Sequence, residues 1–171
     1  MTASEELQAR IASALENAFA RSDKTLLASC RPEWTNCWKR ALEDLGHELG
    51  FEVCASGCQR AEEGEWLYDM SWYTLDRSKG GTLVAQPMVL ESEWSPDPTV
   101  DGDFQKLVQA RADVRVWIFT AADFDAVESY IGRCRDQAKS FVGTQRGDRY
   151  VCAGYDWRDK RLTVRVFAIG A

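Results

Sequence analysis

Histidine is almost absent from this chain of 171 residues, and its scarcity excludes several kinds of catalytic site. Because His47 is the only histidine, the chain leaves little room for a serine–histidine triad or a histidine-rich metal centre. No two cysteines form a Cys-x-x-Cys pair, and a structural zinc site would need four clustered ligands. We therefore expect reduced thiols that pack as small apolar residues. The six cysteines are Cys30, Cys37, Cys54, Cys58, Cys134 and Cys152.

Long apolar runs are also missing. No run approaches the roughly 20 residues that a membrane-spanning helix needs. The first six residues are acidic and polar, unlike a signal peptide. The chain has no internal repeat, low-complexity tract, interdomain linker or phosphate-cradling glycine loop. We expect a cytoplasmic protein with no membrane partner, folded as a single domain over residues 1–171.

Charge is present but unevenly distributed. The net charge is −6, yet residues 133–171 contain nine basic and four acidic side chains. A basic region on an acidic protein can contact phosphates, although a solvated surface explains the pattern equally well. Charge alone therefore does not choose between a nucleic-acid contact and an ordinary surface.

Hydrophobic periodicity predicts an α/β protein, with one mixed sheet and helices on its faces. Helices are expected over residues 5–20, 32–49, 103–112 and 123–141. Strands are expected over residues 51–55, 65–74, 83–94, 114–120, 150–157 and 162–169. Thr2 and Glu5 suit a capping box, and a loop is expected at Ser95–Pro98. The tryptophans predicted to lie in the core are Trp34, Trp38, Trp66, Trp72 and Trp117.

Acidic residues interrupt two of the predicted strands. Glu91 and Glu93 end an apolar strand, and because side chains alternate they share one face, roughly 6.6–6.8 Å apart. Asp69 is the one acid in the apolar run at residues 66–73. Buried carboxylates that repel one another usually persist because a cation lies between them. The three acids therefore predict a hard-oxygen site for Mg²⁺ or Mn²⁺.

Each of these acids also has an ordinary interpretation. A glutamate at a strand end is usually a solvated charge, and Asp69 can be a core acid that accepts hydrogen bonds from backbone N–H groups. Asp103 is better interpreted as a helix cap than as a metal ligand.

The order helix, three strands, helix and strand over roughly residues 32–120 resembles the PD-(D/E)XK nuclease superfamily. In that signature an acid on one strand is followed, on the next strand, by a second acid, any residue and a lysine. Asp69 and Glu91 match the two acids, whereas Glu93 stands at the lysine position. The resemblance implies a restriction endonuclease-like αβββαβ core. This chain would add an N-terminal helix, a long helix and a C-terminal β-hairpin to that core.

The resemblance also implies roles for these residues. Asp69 and Glu91 would hold Mg²⁺ or Mn²⁺ against the scissile phosphate, where the ion activates a water. Glu93 would add a ligand or act as a general base. A further metal ligand would come from the preceding helix, where Glu48 lies beside the apolar stripe and Glu43 points further away.

A lysine can also be supplied from the following helix, so Lys106 is a candidate substitute for the missing catalytic lysine. A helical wheel places Lys106 nearly opposite the apolar stripe, which is also typical of a solvated lysine.

The function predicted from the resemblance is a divalent-metal-dependent nuclease that acts on DNA. The chain is too short for elaborate base recognition, so specificity could come from a homodimer or a partner protein. The alternative is a catalytically degenerate protein of the same fold that serves as a binding, inhibitory or scaffold module.

Overall fold

The structure is a computed structural model that describes residues 2–22, 31–58, 64–94 and 102–170, with side chains omitted for residues 31–35. Its helices are α1 (Ala3–Arg21), α2 (Arg31–Glu48), α3 (Asp103–Gln109) and α4 (Phe124–Ser140). Its strands are β1 (Glu52–Ala55), β2 (Met70–Asp76), β3 (Thr82–Glu93), β4 (Val114–Ala121), β5 (Arg149–Asp156) and β6 (Arg161–Ala168). A short 3₁₀ helix, Arg77–Lys79, joins β2 to β3. The order of helices and strands agrees with the predicted order. Cys30, the side chain of Trp34 and the predicted loop at residues 95–98 lie outside the described residues.

The six strands form one mixed sheet in the order β1-β2-β3-β4-β5-β6. Neighbouring strands run antiparallel at both margins, whereas β3, β4 and β5 are parallel to one another. Helices α1 and α2 pack on one face through a core that includes Ile11, Leu42 and Trp72. Helices α3 and α4 cover the other face through a core that includes Phe104, Trp117 and Ile131. The predicted mixed α/β architecture is therefore confirmed at this level.

Local signals in the sequence account for several boundaries. The predicted capping box at the start of α1 is present, with hydrogen bonds in both directions between Thr2 and Glu5. The five described cysteines are free thiols, and Cys54, Cys134 and Cys152 are buried. In the described part of the chain, no helix has both the length and the apolar character needed to span a bilayer.

The start of β2 differs from the prediction. Leu67 has a φ of 65°, in the left-handed region that a bulky side chain rarely adopts, so a strand beginning at residue 65 cannot run through it. An isolated bridge between Trp66 and Tyr68 makes a tight turn there instead. The strand begins at Met70, and Asp69 therefore precedes β2 rather than lying within it. The predicted burial of Trp66 is wrong, because this side chain is 47% exposed.

Two glycines give a matched test of the packing on the α4 face. A Cβ at Gly154 of β5 would lie 2.5 Å from Cγ1 of Val127 and 2.7 Å from Cζ of Phe119. Nothing lies within 4 Å of a Cβ at Gly132 of α4. We expect Gly154→Ala to lower the free energy of unfolding by about 1–3 kcal/mol through overpacking. Gly132→Ala should raise it by about 0.5–1 kcal/mol through helix propensity. Urea denaturation measures both changes, and shifts of the same sign would contradict this packing.

Candidate functional site

Glu91 lies near the carboxyl end of β3, on the face covered by α3. It pairs in register with Trp117 of the parallel strand β4, and its neighbour on the same strand face, Val89, belongs to the core beneath α3. The Glu91 side chain is buried, with only 3% of the residue exposed. Strand alternation thus directs a carboxylate into the position where an apolar side chain would otherwise continue the core.

Asp69 lies beside Glu91 because β2 and β3 are antiparallel, with Met70 opposite Leu90. Its Oδ2 accepts hydrogen bonds from the backbone N–H of Ser92 at 2.8 Å and from Ser92 Oγ at 2.6 Å. These two hydrogen bonds satisfy Oδ2, in agreement with the interpretation of Asp69 as an acid that accepts hydrogen bonds from backbone N–H groups. The same hydrogen bonds fix the Asp69 carboxylate next to the end of β3.

The electrostatic environment of Glu91 is unfavourable for its charged form. The pKa of Glu91 is raised to about 7, chiefly by burial and next by the charge of Asp69. Lys106 opposes this effect, whereas Asp103 adds to it. Glu91 Oε1 is buried and has no hydrogen-bond partner among the described residues. A buried carboxyl oxygen that accepts no hydrogen bond from the protein is suited to receive a cation or a donor.

Lys106 reaches this acid despite its exposed position on the helical wheel. Its Nζ lies 3.4 Å from Glu91 Oε2 and 2.9 Å from Asp103 Oδ1. The hydrogen bond to Asp103 is the largest cause that raises the pKa of Lys106. The interpretation of Asp103 as a helix cap is wrong, because Gly102 is the N-cap residue and no side chain caps this end. Asp103 instead pairs with Lys106.

Glu93 and Glu48, the other two predicted ligands, do not join Asp69 and Glu91 in a metal-binding group. Glu93 follows on the same strand face and is half-buried, but the described residues contain no group of three or more His, Cys, Asp or Glu side chains arranged to hold a metal ion. Glu48 ends α2 just before β1, whose first residue pairs with Tyr73, so it lies at the opposite end of the sheet from Asp69. There it forms an exposed ion pair with Arg10 at 2.6 Å.

The expected orientation of α2 therefore needs correction. Glu43, predicted to point away from the core, is buried, whereas Glu48 is exposed. The assignment of Glu48 to the metal site is not supported by its position.

Asp69 and Glu91 are the two remaining carboxylates. Two carboxylates are too few to enclose a metal ion completely, but they suit an Mg²⁺ that keeps several waters. Mg²⁺ is usually bound by one or two carboxylates, and water and substrate phosphate complete its coordination. Asp69 and Glu91 supply this donor set, and Glu91 Oε1 is an acceptor without a partner. A divalent ion at this pair of acids would have to take its other ligands from solvent and from a bound phosphate.

Sequence reasoning missed two neighbours of these acids. Ser92 positions Asp69, and its place inside Glu-Ser-Glu gave no separate signal of that role. Tyr68 lies near Glu91, since burial and then the charge of Glu91 raise the pKa of its hydroxyl. Its position directly before Asp69 was the available clue.

Part of the basic excess of the C-terminal quarter is neutralised by ion pairs within the protein. Four of its arginines form ion pairs with acidic side chains at distances of 2.7–3.7 Å. These pairs are Arg149 with Glu5, Arg158 with Asp123, Arg161 with Asp156 and Arg165 with Glu128. They favour the interpretation of the surface around these four arginines as partly neutralised rather than as a phosphate-binding face.

Comparison with protein-family models, with curated proteins and with solved structures yields no match. The interpretation of the site therefore depends on its own geometry and chemistry.

The raised pKa of Glu91 predicts a pH-dependent stability. The folded state holds this proton up to about pH 7, whereas the ordinary pKa of a glutamate is 4.5. Stability that is fully present below pH 4.5 should therefore be lost as the pH rises through 7, by up to about 3 kcal/mol. Glu91→Gln has no carboxyl group to titrate at this position and should not lose this stability. The free energy of unfolding of the variant, relative to that of wild type, should therefore increase between pH 5 and 8.

Urea denaturation across this pH range measures the difference. The control is Asp136→Asn at an exposed site on α4, for which the difference from wild type should not grow with pH in this way. A constant difference between Glu91→Gln and wild type would contradict the assigned environment of Glu91.

Proposed function

We propose that this chain is a divalent-metal-dependent phosphodiesterase of the PD-(D/E)XK type, with DNA as its substrate. The order α2, β1, β2, β3, α3, β4 supports this proposal, since three strands precede a helix that crosses over to a parallel fourth strand. Asp69 precedes the second of these strands and Glu91 lies in the third. The superfamily signature has its first acid on the second of these strands and its second acid on the third, so Glu91 stands at the expected position and Asp69 stands one residue before its strand.

The observation that carries the proposal is the buried Glu91 carboxylate, which has Asp69 beside it and Lys106 above it. Two acids held together in a core cost free energy, and a fold that keeps them gains when a cation binds between them. A purely structural role would be served better by an apolar residue at the end of β3. Glu91 Oε1, which has no hydrogen-bond partner among the described residues, is the oxygen that would bind that cation.

In this mechanism the residues of the chain position the reacting groups and neutralise the charge that develops on the phosphate. Asp69 and Glu91 would hold a divalent ion, which would polarise the phosphoryl oxygen and lower the pKa of a water. The two hydrogen bonds from Ser92 keep Asp69 in place. The half-exposed Lys106 presents its ammonium group to the scissile phosphate and stabilises the charge that develops there. Glu93, at the end of β3, orients the attacking water from the solvent side.

A second candidate function is a binding module without catalysis. The contact between Lys106 and Glu91 favours it, because an ammonium group already lies 3.4 Å from the acid that would bind the metal ion. In that case the lysine takes the place of the ion, and the fold presents its surface to a partner.

Cleavage of a DNA duplex in Mg²⁺ or Mn²⁺ tests the enzyme. Glu91→Gln, Asp69→Asn and Lys106→Ala should each lower the cleavage rate by about 100-fold or more, because the first two remove a carboxylate that would hold the ion and the third removes the ammonium group that faces the phosphate. The matched controls are Asp136→Asn and Lys139→Ala, both exposed on α4, which should cut at the wild-type rate. Cleavage by Glu91→Gln at the wild-type rate would exclude the proposed site.

Calorimetric titration with Mn²⁺ separates the two candidate functions. The enzyme requires binding by wild type and loss of binding in Glu91→Gln. Wild-type protein that neither binds Mn²⁺ nor cleaves DNA would instead support the binding module.

An exposed apolar turn lies directly beside Asp69. Trp66 is 47% exposed and Leu67 is 72% exposed, and the left-handed backbone of Leu67 holds both at the surface. Strained backbone of this kind often serves a functional site. An indole next to a phosphodiesterase centre can stack on a base that is displaced from its helix. We therefore assign Trp66 to the DNA-contacting surface.

Trp66→Ala should raise the KM for DNA by about 5- to 100-fold, the range expected when one stacked base is lost. The value of kcat should change much less, because the residues that act at the reacting phosphate are unchanged in this variant. Trp66→Phe should restore most of the affinity, and Val142→Ala at a fully exposed position serves as the control. An unchanged KM in Trp66→Ala would exclude this contact.

A further inference from the structure

A cavity of about 660 Å³ lies at the end of the sheet opposite to Glu91. The loop between α3 and β4, the loop between α4 and β5, and the exposed half of β3 form its walls. We propose that this cavity binds the phosphomonoester of a small organic molecule. All of its lining belongs to the described residues, and it shares none of the acids assigned to the proposed phosphodiesterase.

Arginines from three different segments line the cavity: Arg111, Arg115 and Arg146. Arg115 of β4 is only 5% exposed, and its Nη2 donates to the carbonyl oxygen of Ala110 at 2.7 Å and lies 3.2 Å from Asp148 Oδ1. Its Nε and Nη1 have no hydrogen-bond partner among the described residues, and the guanidinium carbon lies 5.4 Å from the centroid of the Tyr150 ring. Asp148 balances the charge of this guanidinium, but two of its nitrogen atoms keep N–H groups that can donate to an acceptor in the cavity.

The other two arginines are available to a ligand. Arg111 and Arg146 are exposed, and neither forms a hydrogen bond or an ion pair with another described residue. Asp113 and Asp148 also line the cavity, so its five charged groups sum to one positive charge. Because Asp148 is paired with Arg115, two arginines, Arg111 and Arg146, remain in the lining beside one other acid, Asp113. Arginine binds phosphate in a bidentate way, and a phosphate offers more acceptor oxygens than a carboxylate.

The volume of the cavity and its uncharged polar residues favour an organic phosphate over inorganic phosphate. The volume lies inside the range of roughly 300–1,000 Å³ that is typical of small-molecule sites. Gln86, Gln109 and Gln145 line the same space and offer amide donors and acceptors for a polar organic group. A nucleic-acid strand bound at Glu91 would lie at the other end of the sheet. The cavity is therefore assigned to a separate small ligand.

Calorimetric titration at fixed ionic strength tests the proposal. The probes are adenosine 5′-monophosphate, glucose 6-phosphate and glycerol 3-phosphate, with inorganic phosphate and adenosine as references. At least one phosphomonoester should bind wild type at least tenfold more tightly than either reference. The double variant Arg111→Ala/Arg146→Ala should weaken that binding at least tenfold. The matched control Arg133→Ala/Lys139→Ala on α4 removes the same charge and should bind as wild type does.

Several results would overturn the proposal. These are no phosphomonoester binding, binding no tighter than that of inorganic phosphate, and equal binding by the cavity variant and the control. Glu91→Gln should keep full phosphomonoester binding, so failure of this proposal and failure of the phosphodiesterase are distinguishable. Circular dichroism spectra and melting temperatures of both double variants establish that each is folded, since the substituted residues are at the surface.

Discussion

Burial of β4 along its whole length is the constraint on which the rest of the molecule depends. Every residue of this strand is buried, and both of its neighbours are parallel to it. Parallel neighbours require crossover connections, and two right-handed crossovers in the same direction place both connecting helices on one face. Helices α3 and α4 therefore cover one face and leave the other to α1 and α2. This arrangement places α3 above the end of β3, where Glu91 points.

Local sequence signals predicted most of the fold, because apolar periodicity and caps act over a few residues. The start of β2 was not predictable in this way, since it depends on the backbone conformation of Leu67. The orientation of α2 depends on Gly46, whose missing side chain lets Trp72 and Val53 approach within 3 Å of its Cβ position. Glu43, one turn earlier, shares that buried face, whereas Glu48 does not. A helical wheel contains no information about such a contact.

The site shows the same division between local and tertiary information. Alternation along β3 was enough to direct Glu91 inward, and antiparallel pairing was enough to bring Asp69 beside it. The approach of Lys106 was not predictable from its own helix, because it depends on where α3 lies over the sheet. A long lysine side chain extends from an exposed position past the helix edge and reaches a buried acid. Tertiary placement therefore decides which charges meet.

Lys106 contacts two acids, and the closer of the two contacts bears on whether this lysine would prevent a metal ion from binding Glu91. Its Nζ is closer to Asp103, at 2.9 Å, than to Glu91, at 3.4 Å, and the side chain is 51% exposed. A lysine that neutralised Glu91 as a structural partner would be buried with it and would satisfy Oε1, yet that oxygen has no partner among the described residues. Lys106 can thus remain paired with Asp103 while a divalent ion binds Glu91. The contact between Lys106 and Glu91 therefore does not exclude a divalent ion from the proposed site.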